Sequence, residues 1–227
     1  MQLPFSAEQF FDVFRRYNEF VWPAQVALNV AAVFAAAAAW RAHARRSSPW
    51  ARTALVVLAG LWLWTGIVYF KTFFATVTPA GEIFGSLFIA EAALLMLCAW
   101  QDEPLVPSSR SGAAVGASLI AYALLLYPVA GMLAGHHYPA QPTFGAPCPL
   151  TIFTFGVFCL FPASIYRFAL VMPLLWTAIA SFAAFEFHVH EDLGLLVAAA
   201  ATIAVMLHER SGLRQRSRRS PEPHVTA

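Results

Sequence analysis

The chain has 227 residues, 59% of them apolar and 11% charged, with a formal net charge of +2. Soluble domains average about 45–50% apolar and 25% charged residues, so this chain has too little polar surface to coat a soluble globule and must be solvated by lipid. The small positive charge resides mostly in an Arg-rich, Ser- and Pro-containing tail from Arg210 onward. That tail reads as disordered and attracted to anionic lipid, with no nucleic-acid partner implied.

In chain order, residues 1–19 carry Phe5, Phe10, Phe11, Phe14 and Tyr17 among Glu8, Asp12, Arg15 and Arg16. The three-to-four spacing predicts an amphipathic helix lying in the interface. No cleavable signal peptide is expected, since a basic region, an apolar stretch and a small-residue cleavage site are not arranged in that order. Crossing the roughly 30 Å hydrocarbon core takes about 20 apolar residues in a helix. Seven runs of that kind predict an all-α polytopic transmembrane helix bundle over residues 20–209: Phe20 to Trp40, Thr53 to Thr72, Gly81 to Trp100, Gly112 to Ala134, Cys148 to Phe161, Ile165 to Phe187 and Leu193 to Leu207. The fifth and seventh are short, and Pro147, Pro149 and Pro162 bracket the fifth.

Basic residues stay on the cytoplasmic side of short loops. One set of connections holds Arg41, Arg45, Arg46, Arg52, Arg110, Arg167, Arg210, Arg214, Arg216, Arg218 and Arg219; the other holds Arg15 and Arg16, with Lys71 at its edge. The N-terminus is therefore expected outside, and residues 210–227 form the cytoplasmic tail of a multi-pass inner-membrane protein.

That topology gathers the reactive groups on the outer face. The loop from His136, HHYPAQPTFGAPCPLTIFTFG, brings His136, His137, Tyr138 and Cys148. The FEFHVHEDLG turn adds Glu186, His188, His190, Glu191 and Asp192, and an outer rim of Lys71 and Glu82 flanks the TVTPAG turn. Imidazole, thiolate and carboxylate form the ligand set of a divalent transition metal, which makes His136, His137, Cys148, His188, His190, Glu191 and Asp192 the candidate metal site. The prolines of this loop predict a rigid, extended lid. Each element also has a plainer reading. Histidines at a membrane edge hydrogen-bond head groups or carbonyls, Glu191 and Asp192 cap the last helix, and Cys148 is a free thiol in a rigid turn.

Within the bilayer a charged, unpaired side chain costs about 2.5 kcal/mol or more. Glu91 lies about 15 Å below the start of the third span and Asn29 about 13 Å below that of the first, counting 1.5 Å per residue. Gln25 stands one turn above Asn29 on the same face. A shared polar layer of Gln25, Asn29 and Glu91 is expected, with Thr65 toward the outer side, serving either as hydrogen-bonded glue or in ion or proton movement. Gly112 and Gly116, with Gly131 and Gly135, give two small-xxx-small patterns that predict close helix packing.

PFSAEQFFDVFRRYNEFVWPAQ, TPAGEIFGSLFIAEAALL, the His136 loop and MPLLWTAIASFAAFEFHVHEDLGLL together resemble a family of bacterial multi-pass membrane proteins classed as a domain of unknown function. The resemblance covers nearly the whole chain except the tail, and PTFGAPCPLTIFTFG is its most specific part. It implies an integral membrane protein and transfers no catalytic residue. It also implies a Tyr-His pair in the second span, where this chain has Tyr69 and Phe70, so a site built there lacks a polar group. A rhodopsin-like reading fails because a retinal Schiff base needs a lysine in the last helix, and the single lysine is Lys71. A phosphate-binding Gly loop, a nucleophile elbow and a CxxCH haem site are also missing from the sequence.

Two functions remain open. One is binding or transport of a small solute or metal ion through the outer His, Cys and carboxylate vestibule toward Glu91. The other is a membrane-embedded metal-dependent enzyme or an accessory subunit of a membrane complex. A homo-oligomer or a membrane complex is the expected assembly. The inner half offers almost no polar residue below Glu91, which argues against a permanent channel.

Overall fold

A computed structural model describes residues 5–100, 107–161 and 168–219, the stretch 212–219 by backbone alone. The expected sixth-span start at Ile165, the topology residue Arg167 and the tail beyond Arg219 lie outside the described residues. Within them the chain is helical, with one isolated bridge between Phe144 and Ala146.

Helix α1 spans Ala7–Val21. It starts in a reciprocal capping box, in which the Ser6 hydroxyl accepts from the Gln9 N–H at 3.2 Å and the Gln9 side chain accepts from the Ser6 N–H at 2.9 Å. Its buried residues, Phe10, Val13, Phe14, Tyr17, Asn18 and Val21, form one stripe. The predicted amphipathic helix is present, but its apolar face is turned onto the end of the bundle. A break at Trp22–Pro23 separates it from α2, Ala24–Arg45, so the first apolar span begins at Ala24 and Phe20 belongs to α1.

Helix α3, Ser48–Trp64, continues through a π-helical stretch, Thr65–Phe73, and a 3₁₀ turn, Phe74–Thr76. Helix α4 spans Ala80–Trp100. Helix α5, Arg110–Ala121, widens into a π turn, Tyr122–Leu126, before α6, Tyr127–Leu133. Pro128 near the start of α6 lacks an N–H and its ring would collide with the carbonyl four residues back, and the wide turn relieves that conflict. Helices α7, Pro147–Leu160, α8, Val171–Phe187, and α9, Leu193–Arg219, complete the bundle, with a 3₁₀ turn His190–Asp192 leading into α9. Backbone helix thus continues past Arg210, where the tail was expected to begin.

Five of these rods are long and apolar enough to cross a membrane: Ala24–Arg45, Ser48–Thr76, Ala80–Trp100, Arg110–Leu133 and His190–Ser211. That is the build of an integral membrane protein. The fifth and sixth expected spans are the shorter apolar helices Pro147–Leu160 and Val171–Phe187. At 1.5 Å per residue, α7 is only about 21 Å long, short of the hydrocarbon thickness. It has no need to match that thickness, because every one of its 14 residues is buried. Helices α2, α3, α5, α8 and α9 all pack on it. Helices α5 and α7 approach backbone to backbone: a Cβ added at Gly116 would stand 2.7 Å from the Gly156 carbonyl, and one at Gly156 would stand 2.9 Å from the Gly116 carbonyl. The small-residue pattern at the start of the fourth span is therefore a packing seam. Gly135, by contrast, sits in a left-handed turn at φ 93° with open space around it, and ends α6 instead of packing it.

The bundle has two distinct ends. At one, Arg52 donates through Nε to the Ala99 carbonyl at 2.8 Å, the Ser108 N–H to Leu160 at 3.1 Å and the Ser109 N–H to Glu209 at 2.8 Å. The connections bearing Arg46, Arg52, Arg110 and Arg210 meet there. At the other end α1 packs on the end of the α3 rod, meets the end of α8 through Phe10 and Phe187, and shares a cavity with the starts of α4 and α7.

Candidate functional site

Beneath α1 lies a cavity of about 340 Å³. Its walls are aromatic: Phe10 and Phe14 from α1, Tyr69 and Phe70 from the π stretch, and Phe84 and Trp176 from α4 and α8. Ring pairs fix the walls, with Phe70 to Trp176 at 5.2 Å, Phe84 to Trp176 at 5.4 Å and Phe14 to Tyr69 at 5.5 Å. Phe5 and Phe10 bridge across the top, meeting Phe187 of α8 at 5.7 and 5.1 Å, while Phe5 also meets Phe74 at 5.4 Å. Pro147 and Cys148, the first residues of α7, line it too. A buried helix start normally leaves several N–H groups without partners. Proline at both 147 and 149 removes two of them, so α7 can begin inside protein.

The Cys148 thiol lies beside the Asp192 carboxyl and the Trp176 indole. Asp192 is 2% exposed and its Oδ1 accepts from the Tyr127 hydroxyl at 2.5 Å. The Trp176 Nε1 is buried, and Trp176 lines the cavity together with Cys148. Next in the turn, the buried Glu191 carboxylate meets His136 Nδ1 at 2.8 Å, and Tyr122 donates to the Glu191 carbonyl at 2.9 Å. Gly131 leaves room for that carboxylate, since a Cβ there would stand 3.0 Å from Glu191 Oε1.

The seven residues named as metal ligands therefore divide. His136 pairs with Glu191, and Cys148 adjoins Asp192. His137, His188 and His190 are exposed, His188 capping α8 in a left-handed conformation at φ 59° with its ring 6.2 Å from that of His190. Among the described residues no three His, Cys, Asp or Glu side chains converge so as to hold a metal ion. The three cysteines are free thiols. At the rim, Lys71 and Glu82 form an ion pair at 2.8 Å, and Tyr138 is half exposed with its hydroxyl 3.4 Å from the Asn18 carbonyl.

The His136 loop folds back instead of lying extended. Asn18, fully buried on α1, is its anchor. Its Nδ2 donates to the Pro139 and Gln141 carbonyls at 2.6 and 2.8 Å; its Oδ1 accepts from Gln25 at 2.6 Å and Thr143 at 2.8 Å. All four hydrogen-bonding positions of the amide are filled. Thr65 donates to the Gly145 carbonyl at 3.0 Å from the other side. Irregular backbone at this depth is tolerated because protein, not lipid, surrounds it. Tyr17 completes the roof, accepting from the Trp64 indole at 3.0 Å, and burial pushes its phenol up to about 12 against that bond's opposing effect.

The expected polar layer separates as well. Gln25 joins Asn18 and Thr143, Asn29 is exposed and donates to the Gln25 carbonyl at 2.8 Å, and Glu91 is buried on α4 with Oε1 unpartnered. Asn29 faces away because it sits one position off the buried Gln25–Leu28–Ala32 stripe of α2. Sequence reasoning missed Asn18, Tyr127, Gln141 and Trp176. Only Asn18 carries a local signal, as the one amide on the apolar stripe of an amphipathic helix.

No curated protein and no solved structure matches this chain. A family of unknown function, DUF6064, matches residues 7–217, and the chain belongs to that family.

Proposed function

We propose that the protein binds a small apolar solute in the cavity beneath α1, and that α1 is the cover of the site. The reading rests on the 340 Å³ aromatic cavity, whose size falls at the small end of ligand pockets and whose wall is almost entirely apolar. Phe182, lining it from α8, is 42% exposed on the flank of the bundle, which gives a solute dissolved in the bilayer a lateral way in. Solute binding keeps the vestibule on the α1 face and moves it from the histidines to the aromatic wall behind them. On this reading α1 faces outward, the Arg-rich end faces the cytoplasm, and the protein resides in a bacterial inner membrane with all seven apolar helices embedded.

A photoactivatable decanol tests it. Irradiated with the purified full-length protein, the probe is expected to label peptides of α1, the π stretch Thr65–Phe73 and α8, and an excess of plain decanol to compete it away. Ala180→Phe, which sets a ring in the cavity, should remove that labelling while the protein still purifies as a folded species. Labelling spread evenly over the lipid-facing helices, or unchanged in Ala180→Phe, rejects the reading.

A further inference from the structure

The turn that leads into α9 buries a carboxylate that the protein satisfies only in part. Glu191 is 3% exposed and its Oε1 meets His136 Nδ1 at 2.8 Å, while its Oε2 is buried with no hydrogen-bond partner. Gln141, 7% exposed in the His136 loop, has its Oε1 buried and unpartnered as well. The two side chains border one gap on α6: a Cβ built on Gly131 would stand 3.0 Å from Glu191 Oε1 and 3.7 Å from Gln141 Oε1. Both residues are held from behind. The Tyr122 hydroxyl donates to the Glu191 carbonyl at 2.9 Å, and the Asn18 amide donates to the Gln141 carbonyl at 2.8 Å. Neither Gly131 nor Gln141 nor Glu191 lines the aromatic cavity.

Carboxylate and amide oxygens offer only lone pairs, so two of them facing a buried gap repel each other unless something positive stands between them. A buried acceptor without a donor costs free energy comparable to a lost hydrogen bond, and an unbalanced carboxylate inside protein costs more. One carboxylate balances one positive charge. Among the described residues no three His, Cys, Asp or Glu side chains converge, which leaves a divalent transition ion short of ligands. Oxygen donors suit a hard cation, and the space of one missing Cβ has no room for an alkylamine. We propose that a sodium ion binds between Glu191 Oε2 and Gln141 Oε1 beside Gly131, tying α6, the His136 loop and the turn before α9 together. Because the backbones of both ligands are fixed before the ion arrives, binding loses little to ordering.

The test is thermal melting of the purified full-length protein, equilibrated in choline chloride and then given sodium, potassium, ammonium or more choline chloride at equal ionic strength. Sodium is expected to raise the melting temperature by about 3–5 °C for each tenfold increase beyond its dissociation constant, with potassium and ammonium doing less. Titration calorimetry should count one sodium per chain. Glu191→Gln, which keeps the shape and removes the charge, and Gly131→Ala, which sets a methyl against the carboxylate, should abolish the sodium shift. Gln141→Leu keeps the backbone contact with Asn18 and should weaken sodium at least tenfold, which reads the site even if Glu191→Gln does not fold. Glu91→Gln, altering the buried carboxyl of α4, should keep the full shift. Equal melting in all four salts overturns the site and leaves the Gln141 amide to turn its NH2 toward the carboxylate. A rise with ammonium alone, or an equal rise with all three small cations, overturns sodium as the occupant. A sodium shift unchanged in both Glu191→Gln and Gln141→Leu places the ion elsewhere and overturns the proposal too.

Discussion

Asn18 illustrates how one residue can hold a loop that the sequence displays for other reasons. Its amide satisfies two carbonyls of the His136 loop and two side chains, Gln25 and Thr143, in the buried layer under α1. Asn18→Leu leaves those groups without partners at about 1–3 kcal/mol for each one that water cannot reach. The melting temperature of the purified protein should drop by the equivalent of roughly 2–4 kcal/mol, and Asn18→Asp, which deletes both donors, should fare no better. Tyr17 supplies a pH signature. Its phenol titrates near 10 when unfolded and about 12 when folded, so its contribution is intact below pH 10 and disappears as pH rises from 10 toward 12. A stability profile over that range should be shallower in Tyr17→Phe than in wild type; identical slopes would show that Tyr17 is not buried as described. Histidines and a cysteine in one loop draw attention in a sequence because their chemistry is conspicuous. What decides their role is which buried partners reach them, and Asn18, Tyr127 and Trp176 come from three helices far apart in the chain.

Apolar length and the positions of Trp, Gly and Pro locate seven apolar helices on the sequence, although α9 runs on to Arg219, well beyond the expected end at Leu207, and α2 is shifted to Ala24–Arg45. The features that escape are those for which lipid and protein make the same demand. A run such as LTIFTFGVFCL reads as lipid-facing, yet α7 meets only protein, since a helix apolar all round suits either surrounding. The break at Trp22–Pro23 and the two π stretches, Thr65–Phe73 and Tyr122–Leu126, do not register as a change in hydropathy. Glu91 was located by depth alone, and its burial on the Gly81–Gly85–Phe88–Ala92–Leu95 face of α4 agrees with a residue that cannot face lipid. Its Oε1 has no partner in that face. Glu91→Leu should therefore raise thermal stability, because an uncompensated polar group is exchanged for a packed one. A lower melting temperature would mean that the carboxyl is held by a bound group.

At the scale of the molecule, α1 covers one end of the bundle, and Arg52 donates to the Ala99 carbonyl at the other; the count of basic residues leads to the expectation that the second end is cytoplasmic. A reporter fused after Ala227 should be active in the cytoplasm, and a tag before Met1 should be accessible from outside. Both signals on one face would remove a crossing and place the cavity on the other side. The wrapped, 14-residue α7 also bears on how the protein is made. A nascent segment of that length is a poor substrate for independent insertion, since on its own it neither reaches across the hydrocarbon nor finds partners for the loop that precedes it. It has to be received by α2, α3 and α5, already in place, and then sealed by α8 and α9 as they emerge. Chain synthesis interrupted after Leu160 would strand the helix, so the last two helices serve as the clasp of the bundle as well as its wall.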